Sequence, residues 1–168
     1  MTLTIRPEKP ADAEAIETVT IEAFLKAPHT DHREQFIVRA LREAGALTIS
    51  LVAEERGHIV GHVAVSPVTL SDGSTGWFGL GPISVLPDHQ RSGMGSRLMR
   101  EALGALQALG ASGCVVLGDP AYYGRFGFRP EAGLVLPGVP AEYFQALPLG
   151  DALPRGVVSY HPAFEASG

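Results

Sequence analysis

The chain has 168 residues, 45% of them hydrophobic and 18% charged, with a formal net charge of −5. That is one domain, residues 1–168, of an ordered globular protein with enough length for a sizeable core. No basic cluster interrupts the acidic balance, which argues against nucleic acid or an anionic membrane as the main partner. The one cysteine, Cys114, sits in an apolar run, so no internal disulfide and no cysteine-rich metal site is expected. No leader-like start and no apolar run near ~20 residues is visible, and a cytoplasmic location is expected.

Taken in order, Leu3 to Arg6 reads as an opening strand, broken by Pro7 and Pro10. A first helix is predicted from Asp12 to Leu25, with Ile16, Val19, Ala23 and Phe24 on its buried stripe. After Pro28-His29-Thr30, a second helix is predicted from Asp31 to Ala44, stopped by Gly45. His29 and His32 flank that join and read first as solvated loop residues. Leu47–Glu54 and Ile59–Ser66 alternate as the arms of a hairpin turning at Glu55–His58. A second turn at Ser71-Asp72-Gly73 leads to a strand over Trp77–Leu86. Gly79, Gly81 and Pro82 make that strand unusual, since proline cannot donate to a ladder and glycine marks bulges. The expectation is that pairing with the following strand is lost there, opening a slot in the sheet.

The stretch Pro82–Arg97, P-I-S-V-L-P-D-H-Q-R-S-G-M-G-S-R, carries the chemistry. An apolar strand ends at Pro87, and Gly93 and Gly95 open a helix whose Met94, Leu98, Met99, Leu103 and Leu106 share one face. The free N–H groups and the dipole at a helix start favour an anion, and glycine lets it approach the backbone. A P-loop would need a Gly-Lys-Ser/Thr ending, and a dinucleotide fingerprint would need a third glycine where Leu98 stands. The pattern present is Q-x-x-G-x-G: Gln90, Gly93 and Gly95. Downstream come a short buried strand, Cys114–Leu117, and a short helix capped by Asp119 with Pro120 at its first position. Leu134–Leu136, Tyr143–Leu147 and Val157–Tyr160 read as late strands.

Q-x-x-G-x-G resembles the acyl-CoA pyrophosphate loop of the GNAT acetyltransferase superfamily. The later run G-D-P-A-Y-Y-G-R-F-G-F, residues 118–128, is similar to the small-helix motif of its YhbS-like branch. The resemblance covers essentially the whole chain. It implies an α/β GNAT fold: a mixed, mostly antiparallel sheet flanked by helices and splayed between strands 4 and 5. It implies acetyl-CoA as co-substrate and a small-molecule or peptide amine acceptor, in a monomer or homodimer; no metal is expected, because the six histidines are scattered and the pairs His29/His32 and His58/His62 lack an accompanying cysteine or carboxylate set. The acetyl-CoA contacts it implies are Ser84, Val85, Gln90, Arg91, Ser92, Gly93, Met94, Gly95 and Ser96. Backbone N–H groups near Val85 would polarise the thioester carbonyl, and Tyr123 would protonate the departing thiolate, with Tyr122 as the packing member of the pair. Asp119, Glu22, His62 and His89 all stand open as a general base. The competing class is a CoA-binding sensor of the same fold that transfers nothing.

Overall fold

The computed structural model describes residues 3–28 and 30–168. Its elements run β1 (Leu3–Pro7), α1 (Ala13–Phe24), α2 (Glu34–Glu43), β2 (Ile49–Glu55), β3 (His58–Leu70) and β4 (Trp77–Val85). They continue with α3 (Met94–Ala108), β5 (Gly113–Leu117), α4 (Pro120–Tyr123), β6 (Leu134–Val135), β7 (Phe144–Pro148) and β8 (Gly156–Tyr160). The main sheet has the order β1-β2-β3-β4-β5-β7, antiparallel except where β4 meets β5. His29, one of the two histidines at the α1–α2 join, lies outside the described residues.

One face of the sheet packs on α3. Met94, Leu98, Met99 and Leu106 bury against Ile49, Leu51 and Ala53 of β2 and Val63 and Val65 of β3, as the alternation and the helical spacing predict. Each such aliphatic side chain contributes roughly 1.5–3 kcal/mol on burial. Gly61 makes this packing possible, because a Cβ there would stand 3.1 Å from Leu98. The opposite face is covered by α1 and α2, whose Ile16 and Val38 pack on Val52 of β2.

Two boundaries differ from the sequence prediction for local reasons. Helix α2 begins at Glu34, three residues later than predicted, because the Thr30 hydroxyl accepts the His32 N–H (3.0 Å) and the Asp31 carboxylate accepts the Arg33 N–H (3.3 Å). Those side chains hold a turn with His32 at φ 60° instead of a helical start. Strand β3 runs on to Leu70 instead of stopping at Ser66. Pro67 falls where β3 exchanges partners: residues up to Pro67 pair with β4, and Val68–Leu70 pair with β8. A residue without an N–H is tolerated at such a switch. The C-terminal segment then returns to α2, where the Arg33 guanidinium donates to the carbonyls of Phe164 (3.1 Å) and Ala166 (3.0 Å).

The sheet opens where its glycines and proline predict. β4 and β5 pair only at Trp77–Gly113, Phe78–Cys114 and Gly79–Val115, whereas β4 stays paired with β3 as far as Val85. The β3–β4 register slips between Val63 and Val65, where Gly81 and Pro82 are accommodated. Beyond Gly79, one edge of β4 therefore faces a slot instead of a strand.

Candidate active site

Hydrogen-bond alternation fixes what that edge presents. The Leu86 N–H donates to the Val60 carbonyl at 2.9 Å, so Leu86 and Ser84 direct their main-chain groups at β3. Ile83 and Val85 then turn their N–H and C=O groups toward the slot. The Val85 carbonyl is met on that side by the Gln90 amide at 3.0 Å, which ties the loop to the strand end. Ser84 is not brought to the slot: its side chain is buried opposite His62, and its main chain belongs to the β3 ladder. The slot-facing donor next to Val85 is Ile83, a residue that strand alternation could have identified.

The turn after β4 does what the paired glycines imply. Gly93 sits at the helix N-cap with φ 86°, a left-handed geometry that side chains resist, and no side chain caps α3. The first N–H groups of α3 are thus left free. Together with Ile83, Val85, Gln90, Arg91, Gly93, Gly95 and Ser96 they bound a cavity of about 530 Å³. Tyr122 and Arg125 complete its wall. Ser92 instead donates to the His89 carbonyl and Met94 points into the core, so neither side chain lines the cavity.

The two tyrosines of α4 take different positions. Tyr122, expected as the packing member, turns its hydroxyl to the helix start, 3.1 Å from where a Cβ on Gly95 would stand. Tyr123 lies against Gly118 at the end of β5, where an added Cβ would meet its ring at 2.6 Å, and edge-on to Phe128. Burial, with smaller contributions from Tyr122 and Asp119, pushes the Tyr123 phenol up to about 12. Across the sheet, Tyr160 of β8 packs against Gly79, the last β4 residue bonded to β5, and burial raises its phenol as well. Tyr160 carried no signal in the sequence beyond being aromatic.

Among the candidate bases, Asp119 caps α4 by accepting the Ala121 N–H at 2.9 Å, and His89 faces Glu55 at 3.3 Å. His62 is fully buried, its Nε2 2.7 Å from the Ser50 hydroxyl. Glu22 lines a second cavity of about 580 Å³ with Lys26, Leu86, Asp88 and Gln90, so the two cavities share Gln90. Among the described residues no group of three or more His, Cys, Asp or Glu could hold a metal ion, and no helix is long and apolar enough to cross a membrane.

Residues 46–130 match the model of the acetyltransferase (GNAT) domain. The chain belongs to the GNAT acetyltransferase family. It is 37% identical to the uncharacterised N-acetyltransferase YhbS of Escherichia coli K12 over 168 residues, covering 95% of this chain and 97% of that one. A GNAT family acetyltransferase from Brucella melitensis, solved in complex with acetyl-CoA, superposes with a TM-score of 0.88 at 48% identity, covering 98% of this chain and 99% of its own. E. coli YhbS, solved in complex with CoA, superposes with a TM-score of 0.89 at 35% identity, covering 99% and 93%. The GNAT fold, with its parallel β4–β5 pair inside an otherwise antiparallel main sheet, is thereby established for this chain.

Proposed function

We propose that this GNAT protein binds acetyl-CoA along the β4 edge and transfers its acetyl group to an amine by direct attack on the thioester. The observation that carries this reading is the loss of β4–β5 pairing beside an uncapped helix start: a strand edge with free donors leads straight to an anion seat. The pantetheine arm would take the place of the missing strand. Its pyrophosphate would rest on the N–H groups around Gly93–Ser96, with Gln90, Arg91 and the Tyr122 hydroxyl beside it. The acetyl-CoA and CoA complexes of the Brucella protein and of YhbS support the same ligand here.

The chemistry follows from these positions. Attack of the amine nitrogen on the acetyl carbon forms a C–N bond and puts negative charge on the carbonyl oxygen. Slot-facing N–H groups of Ile83 and Val85 are fixed donors for it, worth more where water is excluded. Collapse breaks the C–S bond, and the leaving thiolate needs a proton. Tyr123 enters each cycle protonated, since burial holds its phenol high. A thiolate expelled into the same buried slot is made more basic by the same loss of hydration, which favours transfer between them. Glu22 and Asp88 on the adjoining cavity suit a cationic amine, with the lost proton leaving to solvent.

Incubation with acetyl-CoA and a panel of primary amines, read by mass spectrometry for acetylated product and free CoA, tests the reading. Product carrying one acetyl group is expected. Tight acetyl-CoA binding with no amine acetylated would place the protein with the CoA-binding sensors instead.

A further inference from the structure

The motif residue Arg125 has no role in the scheme above, yet its guanidinium stands in the wall of the glycine-turn cavity. It is held there from three sides. One nitrogen donates to the Ser96 hydroxyl at 3.3 Å, its charge lies over the Tyr122 ring at 5.4 Å, and it lies over the Phe126 ring at 5.6 Å. Arg100 stacks on the same Phe126 at 5.3 Å. Arg91 lines the cavity beside the turn. Among the described residues none of these three arginines forms an ion pair with a carboxylate, although the chain as a whole carries −5. Two of them, Arg91 and Arg125, line the one cavity, and unneutralised positive charge there raises the local concentration of anions. A guanidinium already fixed by stacking also loses little freedom when it closes on a phosphate.

The helix start alone offers N–H groups for one phosphate cluster at the turn. Arg125 reaches the cavity from the α4 segment, a separate part of the chain, and so adds a second cationic wall. We infer that Arg125 selects the acyl donor, holding a phosphate of the CoA nucleotide and thereby favouring free CoA thioesters over acyl groups on bare phosphopantetheine, as on a carrier protein. The inference rests on the proposal that the cavity takes acetyl-CoA.

Calorimetry of the full chain with acetyl-CoA, its 3′-dephospho form and S-acetyl-4′-phosphopantetheine tests it. Arg125→Gln is expected to weaken acetyl-CoA about tenfold to a hundredfold, the range for a hydrogen-bonded charge, while leaving acetyl-phosphopantetheine affinity unchanged. The dephospho form separates the two sources: an Arg125 effect that persists with it assigns the nucleotide's 5′-phosphate, the half of the pyrophosphate that phosphopantetheine lacks, and one that vanishes assigns the 3′-phosphate. Arg125→Lys keeps the charge without the planar stack and should fall between the parent and Gln. Equal loss on all three donors would put Arg125 on what they share, the pantetheine phosphate or the packing of the wall, and overturn the inference, as would an unchanged acetyl-CoA affinity in Arg125→Gln. A parent protein that binds none of the three would instead remove the acetyl-CoA reading itself.

Discussion

The Tyr122 hydroxyl reaches the start of α3 so closely that a Cβ on Gly95 would stand 3.1 Å from it. Helix start, aromatic wall and cavity are therefore one assembly, and the two glycines are needed for different reasons. Gly93 has open space around its Cβ position but a left-handed backbone; Gly95 has an ordinary backbone but no room. Gly93→Ala should cost about 1 kcal/mol in stability through strain, with acetyl-CoA affinity reduced only modestly. Gly95→Val should leave stability within about 1 kcal/mol, because Tyr122 can swing outward, but should lower acetyl-CoA affinity at least tenfold by filling the anion seat. Calorimetry beside denaturant melts separates these patterns; full affinity in Gly95→Val would remove the turn from the binding site.

Stability should depend on pH through His62. The Glu8 carboxylate accepts two hydrogen bonds from Arg42, at 2.8 and 2.9 Å, and a third from the Ser50 hydroxyl. With its one proton given to Glu8, Ser50 can only accept from His62, so the buried ring carries its proton on Nε2 and is neutral. Burial pulls its pKa down to about 4, opposed by Glu8 and aided by Arg42. The unfolded ring protonates near 6.5, so between pH 6.5 and about 4 the unfolded chain binds the extra proton. The stabilisation is complete above that window and is lost as pH falls through it, by about 3 kcal/mol in all. His62→Gln keeps a donor for Ser50 and cannot titrate. Urea melts from pH 7.5 to 4 should therefore show a steeper loss for the parent than for His62→Gln, and equal slopes would contradict a neutral buried ring.

Much of this was legible in the sequence because it is local. Gly79, Gly81 and Pro82 announce a strand that cannot stay paired, and it parts from β5 directly after Gly79. Gln90, Gly93 and Gly95 announce the turn. What stayed hidden depends on partners far along the chain. The expected strand end at Ser66 falls short of Leu70 because nothing local says that β8, some ninety residues later, takes over the pairing. Tyr160 reaches Gly79 only through that same late strand, and Arg125 reaches Ser96 only after the chain has crossed β5 and turned through α4. Ser84 reads alongside Val85 for a different reason: in a half-open sheet, alternate residues serve the ladder and the slot, and the register with Val60 gives the main chain of Ser84 to the ladder.

Gly79 offers a test of the slot itself. Its Cβ position is occupied by the Tyr160 ring, which also packs on Phe164 at 4.9 Å. Gly79→Val must displace that ring or push β4 away from it, an overpacking that typically costs about 1–3 kcal/mol. Gly79→Val combined with Tyr160→Ala should recover much of the lost stability, since the second change vacates the contested space. Additive losses in the double variant, read by thermal melts, would show that the two residues do not compete.

The roles proposed for the two tyrosines of α4 are separable by single hydroxyl deletions. Their rings meet edge-on at 5.0 Å, yet Tyr122 lines the glycine-turn cavity whereas Tyr123 lies against Gly118 at the end of β5. Tyr122→Phe removes a donor beside the proposed pyrophosphate seat and keeps the ring under Arg125. It should raise KM for acetyl-CoA several-fold while leaving kcat near the parental value, the signature of lost uniform binding. Tyr123→Phe keeps the packing on Phe128 and removes the hydroxyl proposed to protonate the thiolate. It should lower kcat by roughly 10²–10⁴ with little change in KM, because the hydroxyl matters only as the C–S bond breaks. Acyl donors built on more acidic thiols need less help from an acid, because their thiolates leave more readily. The Tyr123→Phe defect should therefore shrink as the thiol of the acyl donor becomes more acidic. A variant that turns over acetyl-CoA at the parental rate, or a defect indifferent to thiol acidity, would return Tyr123 to the role of a core aromatic.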